Sequence, residues 1–210
     1  MIALAREVAD PDQPFVIHVY RPDLGDDDAF LAWARQPALE GFQIESDGQG
    51  VITIVSPTGW ISGPINARVC AHLDQWARQD GRGHVTDSSA TYHLEHIGRR
   101  VPDAAWISRD RLKAVPNHRG ILRAAPEFVV EIRSETDRLA PLEDKLRLWI
   151  SDGVLLGLLL EPAGQRASIF RADEPNRVTH ARDEFNGDPI LPGFRLDLRE
   201  LWDLYADIAG

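Results

Sequence analysis

Apolar residues recur along this chain with two periods. Ile65, Val69, Leu73 and Trp76 fall at i, i+4, i+8 and i+11, the spacing of one helix face, and Gly81-Arg82-Gly83 stops the run. A second stripe, Leu142, Leu146, Trp149 and Ile150, follows Pro141 and predicts a helix to about Asp152, ended by Gly153. Asp26 is placed to cap an earlier helix that carries Phe30, Leu31 and Trp33 and ends near Pro37. Shorter runs follow the strand pattern. Phe42-Gln43-Ile44-Glu45 and Val51-Ile52-Thr53-Ile54-Val55 flank Ser46-Asp47-Gly48-Gln49-Gly50, a hairpin signal closed by Pro57-Thr58-Gly59. Residues 84–108 read as β structure with a turn near Gly98. Pro102 opens a strand over Asp103–Ile107, and a basic loop continues to about Ala125. Phe128–Ile132 and Val154–Leu160 read as strands, the second buried, and residues 167–171 as a last hairpin partner. The tail ends in a short helix.

The order strand, loop, strand, helix, strand predicts an α/β domain with a mixed sheet crossed by a helix. Its extent is residues 29–210, preceded by a Pro- and Asp-rich lead-in over residues 1–28. A chain of 210 residues with 43% hydrophobic content can bury one sizeable core. No apolar run approaches the roughly 20 residues of a membrane span, and the acidic N-terminus does not read as an export signal. One cysteine, Cys70, excludes an intramolecular disulfide and a cysteine-rich zinc site; the expected location is the cytoplasm. The 7 histidines have no metal-ligand spacing.

Three residues carry candidate chemistry. Asp103 follows Pro102 at the head of a strand, near its solvent end, where an acid is otherwise a capping residue. Glu131 lies at the end of an apolar strand, on the face of Val129 and Arg133 and opposite Phe128, Val130 and Ile132. A carboxylate there is costly unless it is paired or holds a metal; a surface pair with Arg133 is the plainer reading. Lys145 borders the apolar stripe of its helix, about 40° from Trp149 at roughly 100° per residue, where a lysine otherwise snorkels to water. Together the three make the smallest kit for phosphodiester hydrolysis. A hard cation, Mg²⁺ or Mn²⁺, takes oxygen ligands and neutralises phosphoryl charge, and an ammonium orients water or stabilises developing charge.

The net charge of −10 argues against a protein that coats nucleic acid non-specifically. Between Arg99 and Arg123, however, 7 Lys or Arg stand against Asp103 and Asp110. That stretch, Arg111 and Lys113 above all, is expected to border the metal site and steer phosphates to it.

From about Gly41 to Trp202 the chain resembles the Uma-two family of endonucleases, a bacterial branch of the PD-(D/E)XK nuclease superfamily. The landmarks are Ile54-Val-Ser-Pro-Thr-Gly59, Pro102-Asp103-Ala-Ala-Trp106, Pro126-Glu-Phe-Val-Val-Glu131-Ile-Arg-Ser134, Asp137, Leu142 and Lys145. They continue with Gly153-Val-Leu-Leu-Gly-Leu-Leu-Leu-Glu-Pro162 and Leu191-Pro-Gly-Phe194. No single motif is specific; their order and spacing are. The resemblance implies a restriction-endonuclease-like core, Asp103 and Glu131 as ligands of Mg²⁺ or Mn²⁺, Lys145 as the catalytic lysine moved onto the helix, and nucleic acid, DNA above all, as substrate. The superfamily's usual lysine position holds Arg133, which stays protonated and is cast as a phosphate contact. Glu45 is the candidate for an additional acid. Two departures, Leu158 in place of an aromatic and Trp149 in place of a helix tyrosine, read as core changes. Duplex cleavage with one site per chain fits a homodimer. The alternatives are a catalytically silent nucleic-acid-binding or partner-binding member of the fold, and an unrelated α/β protein in which the three residues never meet.

Overall fold

The structure, a computed structural model, describes residues 15–56, 60–116, 120–175 and 177–210. The Pro57-Thr58-Gly59 turn, His118 and Arg119 of the basic stretch, and the first part of the lead-in lie outside these residues. The helices are α1 (Asp27–Ala34), α2 (Ser62–Asp80), α3 (Arg109–Lys113), α4 (Leu139–Ser151) and α5 (Leu198–Ala209). The strands are β1 (Val16–Tyr20), β2 (Gln43–Ser46), β3 (Val51–Val55), β4 (Gly83–Asp87), β5 (Tyr92–Leu94), β6 (Gly98–Arg100) and β7 (Ala104–Ser108). They continue with β8 (Phe128–Ile132), β9 (Leu156–Glu161), β10 (Arg166–Arg171), β11 (Val178–Ala181), β12 (Glu184–Asn186) and β13 (Arg195–Asp197).

A six-stranded sheet in the order β11-β10-β9-β8-β7-β4 is the centre of the molecule. It is mixed: β8 and β9 run parallel, as the α4 crossover between them requires, and the other pairs are antiparallel. Every residue of β8 and β9 is buried, because helices cover both faces. Strand alternation then sorts their side chains. Phe128, Val130, Ile132, Leu156, Leu158 and Leu160 join Ile65, Val69 and Leu73 of α2 and Leu201 and Trp202 of α5 in one core. Val129 and Leu159 join Leu146 and Trp149 of α4 on the opposite face.

Antiparallel strands in the order β1-β3-β2-β6-β5 form a second sheet, covered by Phe30 and Trp33 of α1 in a third core. The predicted lead-in thus contributes a strand: β1 pairs with β3 from Val16↔Val55 to Tyr20↔Val51. Asp26 caps α1 as expected, its Oδ1 accepting from the backbone N–H groups of Asp28 and Ala29 at 3.0 and 3.1 Å. Gly81, left-handed at φ +71°, ends α2. The basic loop after β7 begins instead as the short helix α3, because the Ser108 hydroxyl accepts from the N–H of Arg111 at 3.1 Å and caps it.

Candidate active site

The site forms where β7 and β8 meet α4 and β2. Ala104 pairs with Val130; continued one residue, that antiparallel register sets Asp103 opposite Glu131. Directly opposed residues have Cβ atoms about 4.5–5.5 Å apart. The Ile132 N–H donates to Asp103 Oδ2 at 2.6 Å and fixes that carboxylate at the strand end. Glu131 follows Val129 onto the α4 face, where the helix presents two residues one turn apart. Lys145 Nζ stands 3.0 Å from both Glu131 oxygens, and the Trp149 indole N–H donates to Oε1 at 3.0 Å.

Lys145 also donates to Glu45 Oε1 at 3.1 Å and to the Val101 carbonyl at 3.3 Å. Glu45 reaches the site because β2 pairs with β6 at Ser46↔Arg99, which brings the five-stranded sheet against the end of β7. It accepts further from the Val101 N–H and the Gln43 amide, both at 3.2 Å, and pairs with Arg100 at 3.5 Å.

Glu131 and Glu45 are buried and Asp103 and Lys145 half-buried, and loss of solvation is the largest influence on their acidity. It raises the Asp103 carboxyl to about 6, against the Ile132 hydrogen bond and Lys145, with Asp137 and Glu45 adding repulsion. It raises Glu131 to about 7; Lys145 opposes the shift, while Asp103 and Glu45 reinforce it. At Glu45, by contrast, burial is outweighed by Lys145 and Arg100 together, and the pKa is lowered. Burial works against the Lys145 ammonium too, but Glu131 and Glu45 raise its pKa.

The donor set suits a hard dication. A carboxylate offers about four lone-pair sites, and Asp103 Oδ1 accepts no hydrogen bond among the described residues. Asp103 and Glu131 hold a proton unusually tightly because their charges are under-compensated, which is the condition a divalent cation relieves. Among the described residues no group of three or more His, Cys, Asp or Glu is arranged to hold a metal. Two carboxylates fit an ion that keeps several waters.

An open cleft of about 510 Å³ leads to Asp103. Its walls are α1, β2, the first turn of α2 and the segment before β5.

Sequence reasoning brings Asp103, Glu131, Lys145 and Glu45 together, and so does the structure. Arg133 is in a different position: its guanidinium donates to Glu161 Oε2 at 3.1 Å and to the Asp137 carbonyl at 3.0 Å, at the end of β9. Arg111 and Lys113 do not reach the site. They follow the far end of β7, a strand about 17 Å long at roughly 3.4 Å per residue. Arg111 donates there to the carbonyls of Ala125, Pro126 and Gly153 and pairs with Glu127 at 3.2 Å, and Lys113 pairs with Asp110. The basic stretch is dispersed: Arg99 and Arg123 both pair with Asp27, and of its described residues Arg100 alone serves the site. Two partners were missed in the sequence. Trp149 lies four residues after Lys145, a signal legible in helix spacing; Arg100 has none.

A mixed sheet covered on both faces by helices, with acids converging from adjacent strand ends and a lysine from the crossover helix, defines a restriction-endonuclease-like protein. The chain matches the Uma2 family, described as "Putative restriction endonuclease", over residues 27–199, and it belongs to that family. It is similar in fold to the crystal structure of "a putative nuclease belonging to DUF820" from Anabaena variabilis, with a TM-score of 0.68 at 16% identity. The match covers 85% of this chain and 97% of that one. No curated protein matches the sequence.

Proposed function

We propose that this protein is an endonuclease that hydrolyses phosphodiester bonds in DNA with Mg²⁺ or Mn²⁺ held by Asp103 and Glu131. One observation carries the reading: two under-compensated carboxylates, Glu131 buried and Asp103 half-buried, on neighbouring strand ends beside an open cleft, with a half-buried ammonium bridging Glu131 and Glu45. A bound dication supplies charge neutralisation at the phosphoryl group and a more acidic water.

The remaining roles belong to the chain. The Ile132 N–H holds Asp103 and the Trp149 N–H holds Glu131, so each carboxylate keeps one orientation. Lys145 directs its three N–H donors to Glu131, Glu45 and Val101. It therefore acts as a positioning residue that fixes both acids and lowers the cost of their charge. Glu45, kept ionised by Lys145 and Arg100, is the second anchor of the Lys145 ammonium beside Glu131.

The test is plasmid and linear DNA incubated with Mg²⁺, Mn²⁺ or EDTA. Metal-dependent cleavage that EDTA stops is expected, and Asp103→Ala and Glu131→Ala should each lose it with circular dichroism unchanged. Folded variants that cut as well as wild type would sink the assignment.

A further inference from the structure

The cleft that ends at Asp103 has a lining unlike that of a duplex-DNA clamp. Among the described residues none of its side chains is Lys or Arg, and Asp103 is its one charge. Several cations around the site are taken up in ion pairs: Arg99 and, at the surface, Arg123 with Asp27, Arg100 with Glu45, and Lys145 with Glu45 and Glu131. A protein that grips duplex DNA needs Lys and Arg along the phosphates, and this chain carries a net charge of −10. The cleft offers instead neutral hydrogen-bonding groups and an aromatic wall. Among the described residues, Asn66 accepts from the Cys70 thiol through Oδ1, at 3.5 Å, and keeps its amide N–H groups free; Gln43 donates to Glu45 and Val101 and keeps its carbonyl free. Thr91 adds a hydroxyl with no side-chain partner among the described residues, and Phe42, partly buried beside Phe15, supplies a ring. Amide donors and acceptors with an aromatic face are what reads the edge and stacks the plane of an unpaired base. About 510 Å³ is the scale of a small-molecule pocket.

We propose that this cleft receives one unpaired nucleotide, its base between Phe42 and the Asn66, Gln43 and Thr91 side chains and its phosphodiester at Asp103. The substrate is then single-stranded or locally unpaired DNA in preference to intact duplex. This inference rests on the phosphodiesterase reading above and narrows it. Intact duplex would have to extrude a nucleotide to reach the site, which disfavours it against a substrate already unpaired.

The experiment is fluorescence anisotropy of the full chain with three labelled oligonucleotides: a single strand, a perfect duplex, and the same duplex with a central unpaired bubble. Titrations are run across a potassium chloride series, in EDTA and again with Ca²⁺. The single strand and the bubble should bind roughly tenfold or more tighter than the perfect duplex, given the unstacking that extrusion requires. With no Lys or Arg in the cleft to displace counterions, the single-strand salt slope should be about −1.4 or shallower, far from that of a clamp with many phosphate contacts. Asn66→Ala and Thr91→Val, each losing one hydrogen bond to the base, should weaken single-strand binding roughly fivefold while leaving the duplex value unchanged. Equal or tighter binding of the perfect duplex, a steep slope, or no binding to any of the three overturns the proposal. If plasmid is still cut while intact duplex is preferred, the nuclease reading stands and this one falls.

Discussion

Replacing Asp103 by Asn should stabilise the metal-free protein above neutral pH. The Asp103 carboxyl has a folded-state pKa of about 6 against an ordinary value of 3.8, chiefly from burial. Because the folded pKa is raised, the folded state binds this proton more tightly than the unfolded chain does. The group therefore favours folding at low pH, and that contribution is lost as pH rises from about 4 to about 6. Each tenfold in proton affinity is worth about 1.4 kcal/mol, so the ionised carboxylate costs up to about 3 kcal/mol above pH 7. The substituted amide would be neutral at every pH, and its side-chain carbonyl can still accept from the Ile132 N–H. The assay is urea unfolding of wild type and Asp103→Asn in EDTA from pH 4 to pH 8. The variant should be more stable by about 1–3 kcal/mol at pH 8, with the gap closing toward pH 4. A variant equal to or weaker than wild type at pH 8 would refute the reasoning: Asp103 would then carry its charge without cost and have no electrostatic need of a cation.

The same frustration predicts that Mn²⁺ or Mg²⁺ stabilises wild type at pH 8, by about 2.7 kcal/mol at a hundredfold excess over Kd and with a raised thermal midpoint, but does not stabilise Glu131→Gln; an equal rise in both would exclude Glu131 as a ligand. Lys145→Met strands Glu131 and Glu45 beside each other, and loss of one partner of a buried ion pair costs about 3–5 kcal/mol in chemical denaturation. A loss under about 1 kcal/mol would mean that water serves these acids. Gly83→Ala should destabilise by about 1–3 kcal/mol or more, because a Cβ there would lie 2.4 Å from the Ile107 carbonyl oxygen and 2.6 Å from the Trp106 ring; an unchanged midpoint would show that β4 can shift.

Local pattern determined much of this protein. The 3.6-residue stripes of α2 and α4 and the unbroken apolar runs of β8 and β9 follow from burying one helix face and both strand faces, so they are visible without coordinates. The alternation that turns Glu131 away from Val130 and Ile132 is equally local, and with Lys145 at the edge of the α4 stripe it made most of the site legible; Trp149, one turn further on, read only as core. Arg100, Arg111 and Lys113 were beyond its reach. Net charge along a stretch says nothing of direction, and Arg111 and Lys113 lie past the far end of β7, where carbonyls and acids take up their donors. The joining of the two sheets was likewise a tertiary decision. Glu45 lies beside a hairpin turn, and only the family resemblance marked it as a candidate acid; the β2–β6 pairing, between residues far apart in sequence, is what buries it against Lys145. Periodicity reports which face of an element is buried; which elements meet, and whose charge is neutralised by whom, depends on long-range packing that no local spacing encodes.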